Sequence, residues 1–153
     1  MLLDNRQVRE CLDIANSFLD TSKTILNYQD DYIDVKELLS THIYPAVVSA
    51  ALSSELFMKA MFAIEAPGTD IPRGHKLADL FHKLSMQTQK LVREKFEEGE
   101  PNSLEVLLEK STDSFSDWRY AYEKEVESMP IGLIELADTL NCISWQMLEQ
   151  ASR

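Results

Sequence analysis

Apolar residues recur along this chain at steps of three, four and seven, and no stretch shows the sustained alternation of a strand. Asp4 or Asn5 is placed to cap a first helix reaching about Leu26, with Val8, Leu12, Ala15, Phe18, Leu19 and Ile25 as its apolar stripe. Asn27 to Tyr32 is a polar joint, and a short helical stretch is expected around Val35 to Leu39. Between Pro45 and Ala66 the pattern changes: 15 of 22 residues are apolar, and only Glu55, Lys59 and Glu65 are charged. A helix apolar nearly all round must be covered by other helices or by a second subunit. Pro67-Gly68 ends it, since proline cannot continue a helix and glycine accepts a left-handed conformation.

After a loop, a helix is expected to begin near His75, with Leu77, Leu80, Phe81 and Leu84 on one face. A second amphipathic piece runs to about Glu97, using Leu91, Val92 and Phe96. Ser103 reads as the cap of a helix that buries Leu104, Leu107 and Leu108, and Ser116 or Asp117 opens a short one containing Trp118 to Tyr122. The last helix, about Ile131 to Ala151, has Leu133, Leu136, Leu140, Ile143 and Met147 as its buried side. Four glycines and five prolines are too few for a turn-rich β fold. With no repeat or linker in 153 residues, the expectation is one all-α domain over residues 1–153.

Charge narrows the partners. The chain carries 15 Lys+Arg against 26 Asp+Glu, a formal charge of −11. Such a surface repels phosphate backbones and argues against a nucleic-acid partner. The acid is concentrated in residues 1–40 and 93–127, whereas residues 41–92 hold five positive and four negative charges. Cys11 and Cys142 have no metal or redox spacing and read as buried thiols of a reducing compartment. No signal-peptide run opens the chain, and no uninterrupted apolar run reaches membrane-spanning length, so a cytoplasmic protein without membrane contact is expected.

Few residues are candidates for chemistry. His42, His75 and His82 form no metal motif, and His75 and His82, seven apart on the expected helix, would stand about 10 Å apart. No metal and no cofactor is expected; P-loop, GxGxxG and nucleophile-elbow patterns are absent from the sequence. Ser53 and Ser54 read as small packing residues. Glu55 and Lys59, four apart in the favourable order, lie in the most apolar stretch, where an unpaired charge is costly. Glu55 therefore needs a cation, either Lys59 or the distant Arg119, which sits between Trp118 and Tyr120. Two readings of Glu55, Lys59, His75 and Arg119 follow: a buried pair that fixes helix register, or a functional polar pocket. A third leaves Glu55 exposed. His75 reads as a helix cap packing beside Leu77, with a ligand-binding or proton-transfer role as the alternative.

These segments, taken in order, resemble the HEPN superfamily. Ala51-Leu52-Ser53-Ser54-Glu55-Leu56-Phe57-Met58-Lys59-Ala60 resembles its second helix, Arg73 to Phe81 is similar to its His-x-Leu-x-x-Leu helix start, and Phe115 to Glu123 resembles a later segment. The resemblance spans roughly residues 40 to 150. It implies an antiparallel, up-and-down bundle of about five main helices with short extra ones, frequently homodimeric. Many members are metal-independent endoribonucleases that use an Arg and a His with four to six residues between them. Arg119 matches that Arg, but the corresponding later positions are Lys124, Glu125 and Val126, so the His is missing. The resemblance therefore implies a non-catalytic module, homodimeric, that binds a protein partner or a small ligand near Glu55, His75 and Arg119. Its setting would be a toxin–antitoxin, antiphage or nucleotidyltransferase-associated system. The alternative is an atypical endoribonuclease using Arg119 with His75 or Tyr122.

Overall fold

The computed structural model describes residues 1–27, 43–97, 103–111 and 130–152. The described residues form helices joined by loops, with no strand among them. The helices are α1 (Asn5–Asn27), α2 (Ile43–Glu65), α3 (Leu77–Lys83), α4 (Met86–Phe96), α5 (Ser103–Lys110) and α6 (Pro130–Ala151). The short helices expected at 35–39 and at Trp118 to Tyr122 lie outside the described residues.

Local chemistry sets the ends of these helices. Asp4 and Gln7 close a reciprocal cap on α1: the Gln7 N–H donates to Asp4 Oδ1 at 2.8 Å, and the Asp4 N–H donates to Gln7 Oε1 at 3.0 Å. Gly68, at φ +80°, takes the left-handed conformation just beyond α2 that a side chain would resist. Ser85 caps α4 by accepting the Thr88 N–H. The Glu65 carboxylate, arriving from the end of α2, accepts from the Ser85 N–H at 2.9 Å, the Ser85 hydroxyl at 2.7 Å and the Thr88 hydroxyl. An anion at the start of a helix is favoured by the unpaired N–H groups there.

Three long helices carry most of the packing. On α1, Val8, Leu12, Ala15 and Leu19 are buried as the periodicity requires, while Phe18 and Ile25 are only partly covered and Ser22 takes a core position. The Ser22 hydroxyl donates to the Ala46 carbonyl at 2.7 Å, and Ser53 donates to the Ala15 carbonyl at 2.8 Å. Cys11 Sγ lies 3.6 Å from the Leu56 carbonyl. Residue numbers fall along α1 as they rise along α2, so the two helices are antiparallel. The same holds for α1 and α6: Lys23 pairs with Asp138, the Asn141 amide donates to Asn16 Oδ1, and Arg9 lies over the Trp145 ring. Helices α2 and α6 therefore run in the same sense, both against α1.

Helix α2 is the centre of the core. Its Ala46, Val47, Ala50, Phe57, Met58, Ala60 and Met61 are fully covered, chiefly by α1 and α6, with α3 adding further contact. It is long and apolar enough by composition to cross a membrane, and 61% of its apolar stretch is buried inside the protein. Leu77, Leu80, Phe81 and Leu84 bury as expected, and so do Leu104, Leu107 and Leu108. On α6, Leu133, Leu136, Leu140 and Ile143 are buried, but the last core position is taken by Leu148 rather than Met147. Leu91 is 42% exposed, contrary to expectation; α4 instead turns Thr88, Gln89 and Val92 inward. Gln89 is stable there because its amide donates to the Leu84 carbonyl at 2.8 Å, so its polar group is not left unpaired.

Candidate functional site

The deepest ionisable group among the described residues is Glu55, 4% exposed, in the middle of α2. A carboxylate in such surroundings needs opposite charge and hydrogen-bond donors. Both are present. Lys59, one turn further on, places Nζ 2.7 Å from Glu55 Oε1. His75, from the loop before α3, places Nδ1 2.9 Å from Oε1 and 3.1 Å from Oε2. Glu55 is therefore not exposed, and the reading that left it in solvent is corrected.

His75 also differs from its expected place. It does not begin a helix: α3 starts at Leu77, and its cap residue, Lys76, makes no side-chain cap bond. His75 sits in the preceding loop, one residue after Gly74, whose φ of +103° only glycine adopts at low cost. That turn carries the ring back to α2, twenty residues earlier in the chain. A carboxylate beside an ammonium accepts hydrogen bonds and cannot donate, so the bond to Glu55 assigns the proton of the imidazole to Nδ1. The His75 side chain is otherwise 68% exposed, whereas Lys59 is 17% exposed. The site is thus a buried carboxylate that holds a partly buried ammonium on one side and a more exposed imidazole on the other.

Sequence reading missed a fourth group. Cys11 of α1 faces the same place, its Sγ near the Leu56 carbonyl. Burial pushes its thiol pKa up, the Lys59 charge opposes that, and the Glu55 charge adds to it. The available signal was helical spacing: Cys11 stands three residues after Val8 and four before Ala15, both buried. Neither cysteine is fully buried as expected; Cys11 and Cys142 are free and half-covered. Ser53 and Ser54 are the small packing groups expected of them, with hydroxyls bonded to the carbonyls of Ala15 and Ala50.

Arg119 and Tyr122 lie outside the described residues, as does His42. The structure thus brings together Glu55, Lys59 and His75 of the expected set. His82 lies on α3, where its ring meets Phe81 edge-on at 5.6 Å. Among the described residues, no three His, Cys, Asp or Glu side chains are grouped to hold a metal ion. An open polar groove along Asp13, Asn16, Asp20 and Thr24 of α1 shares no residue with the cluster. No family model, curated protein or solved structure matches this chain.

Proposed function

We propose that this chain is a HEPN-like, up-and-down helical module without catalytic activity, dimeric and cytoplasmic, that binds a small ligand or a protein partner at the Glu55–Lys59–His75 cluster. The observation that supports this reading is a Glu55–Lys59 charge pair in the most apolar helix, with His75 from the loop before α3 bonded to the same carboxylate and more exposed than either. A purely structural charge pair would be complete with Glu55 and Lys59. The added imidazole spends its bond on the buried carboxylate while leaving most of its surface to solvent. Arg119 belongs to the proposed site through the resemblance alone, as does the toxin–antitoxin, antiphage or nucleotidyltransferase-associated setting.

Two experiments test this. Sedimentation of the full chain at micromolar concentration should report a dimer, and a monomer would contradict the reading. Structured RNA incubated with the wild type and with Arg119→Ala should remain intact in both. Cleavage by the wild type alone would favour the second reading, an atypical endoribonuclease. One feature favours that alternative: His75, held at Nδ1 by a carboxylate, has the arrangement a general base requires. The charge of −11 opposes it, because an RNA substrate calls for a basic track.

A further inference from the structure

We infer that Lys95 and Cys142 form a modification site at which a peroxide oxidises the thiol and the neighbouring amine then captures it, joining α4 to α6 by an S–N bond. This site shares no residue with the Glu55 cluster. Lys95 Nζ lies 2.8 Å from Cys142 Sγ, across 47 positions of sequence. An N–H···O bond is usually about 2.9 Å long and sulfur is larger than oxygen, so nitrogen and sulfur here are closer than an ordinary hydrogen bond brings them. Gln146, one turn further along α6, directs its amide at the same sulfur from 3.7 Å. Cys142 is a free thiol and only half-covered, and Lys95 is exposed, so a molecule as small as hydrogen peroxide reaches both.

What stands beside an oxidised Cys142 decides its partner. The chain has two cysteines, and the other, Cys11, turns its sulfur to the Leu56 carbonyl on α2. A disulfide within the chain requires that contact to break, whereas the Lys95 nitrogen is already in place. In the first step the Cys142 sulfur, as thiolate, attacks one oxygen of hydrogen peroxide. An S–O bond forms, the O–O bond breaks, and the departing hydroxide leaves as water with the proton the thiol gave up. Sulfur loses two electrons and the peroxide is reduced. In the second step the Lys95 nitrogen, its ammonium proton released to water, attacks the sulfenic sulfur. The S–N bond forms as the S–O bond breaks, and the hydroxyl leaves as water with a proton from the amine. The product ties α4 to α6 covalently, and a thiol reductant restores both side chains.

The full chain, treated with excess hydrogen peroxide at neutral pH and quenched with catalase, tests this by intact mass and peptide mapping. The expected product has lost two hydrogens, and its digest contains the Cys142 peptide joined to the Lys95 peptide; dithiothreitol separates them. Lys95→Arg keeps a cation at this exposed position and should give no joined peptide, leaving Cys142 as a sulfenic acid that dimedone traps. In the wild type, an unreacted Cys142, or one found as a sulfinic acid or dimedone adduct without the Lys95 peptide, would overturn the inference. So would a Cys11–Cys142 disulfide, which also loses two hydrogens but joins different peptides, or a disulfide between two chains through Cys142. None of these wild-type readings depends on a variant folding.

Discussion

His75 Nδ1 lies 2.9 Å from Glu55 Oε1 and ties the loop before α3 to the centre of α2. This bond joins residues twenty positions apart and closes the polar cluster on its outer side. Removing the acid leaves the Lys59 ammonium, 17% exposed, without its partner. Glu55→Ala should therefore destabilise the fold by about 3 kcal/mol, measured by urea denaturation. A loss below about 0.5 kcal/mol would mean that water screens the pair.

The core makes simpler demands. Leu80 of α3 and Leu136 of α6 are 3% and 0% exposed. Truncating either to Ala removes buried methyl groups and leaves a cavity, at a cost of about 2 to 5 kcal/mol each. Equilibrium unfolding of the two variants checks this, and a near-neutral result at Leu136 would contradict its place in the core.

How much of this was legible in the sequence varied with the range of the interaction. Leu133, Leu136, Leu140 and Ile143 follow helical spacing, and Pro67-Gly68 marks the end of α2, because both signals are local. His75 was read as a helix start because Leu77 and Leu80 follow it at helical steps. Its actual partner is set by the Gly74 turn and by a carboxylate on another helix, which no periodicity reports. Leu91 was misplaced for a related reason: Gln89 could take the inner face of α4 only because the Leu84 carbonyl happened to be in reach. Asp4, by contrast, is legible as a cap from the sequence, and Gln7 three residues on supplies a reciprocal bond that was not assigned from the sequence.

Two serines link α1 to α2 through main-chain carbonyls. Because Ser22 and Ser53 are fully buried and donate to Ala46 and Ala15, Ser→Ala at either should cost about 0.5 to 1.5 kcal/mol. Thermal unfolding of the single variants measures it. Stabilisation by either would show that the hydroxyl is a burden on the interface.

A surface pair supplies a pH dependence. Burial alone would raise the Glu105 pKa, but the Arg93 hydrogen bond at 2.6 Å and the Arg93 charge outweigh it and hold the carboxyl below its ordinary value. A depressed folded-state pKa contributes stability at neutral pH that is lost as pH falls through the glutamate range. The difference in stability between wild type and Glu105→Gln should therefore shrink from pH 7 to pH 3. Since Glu105 is 42% exposed, that difference stays below about 1 kcal/mol. A gap that widens on acidification would contradict the sign.

The Cys11 thiol, held up by burial, should react slowly with a thiol reagent at pH 8 in the native chain and faster after unfolding. Equal rates in the two states would show that the α1–α2 contact leaves it open.

The account depends most on the bond between Glu55 and His75, and a double-mutant cycle measures that bond directly. Glu55→Ala, His75→Ala and the double variant, compared by chemical denaturation, should give a coupling energy of about 1 kcal/mol or more. Stability losses that add within about 0.3 kcal/mol would mean the imidazole and the carboxylate do not interact, and the site built on them would not exist.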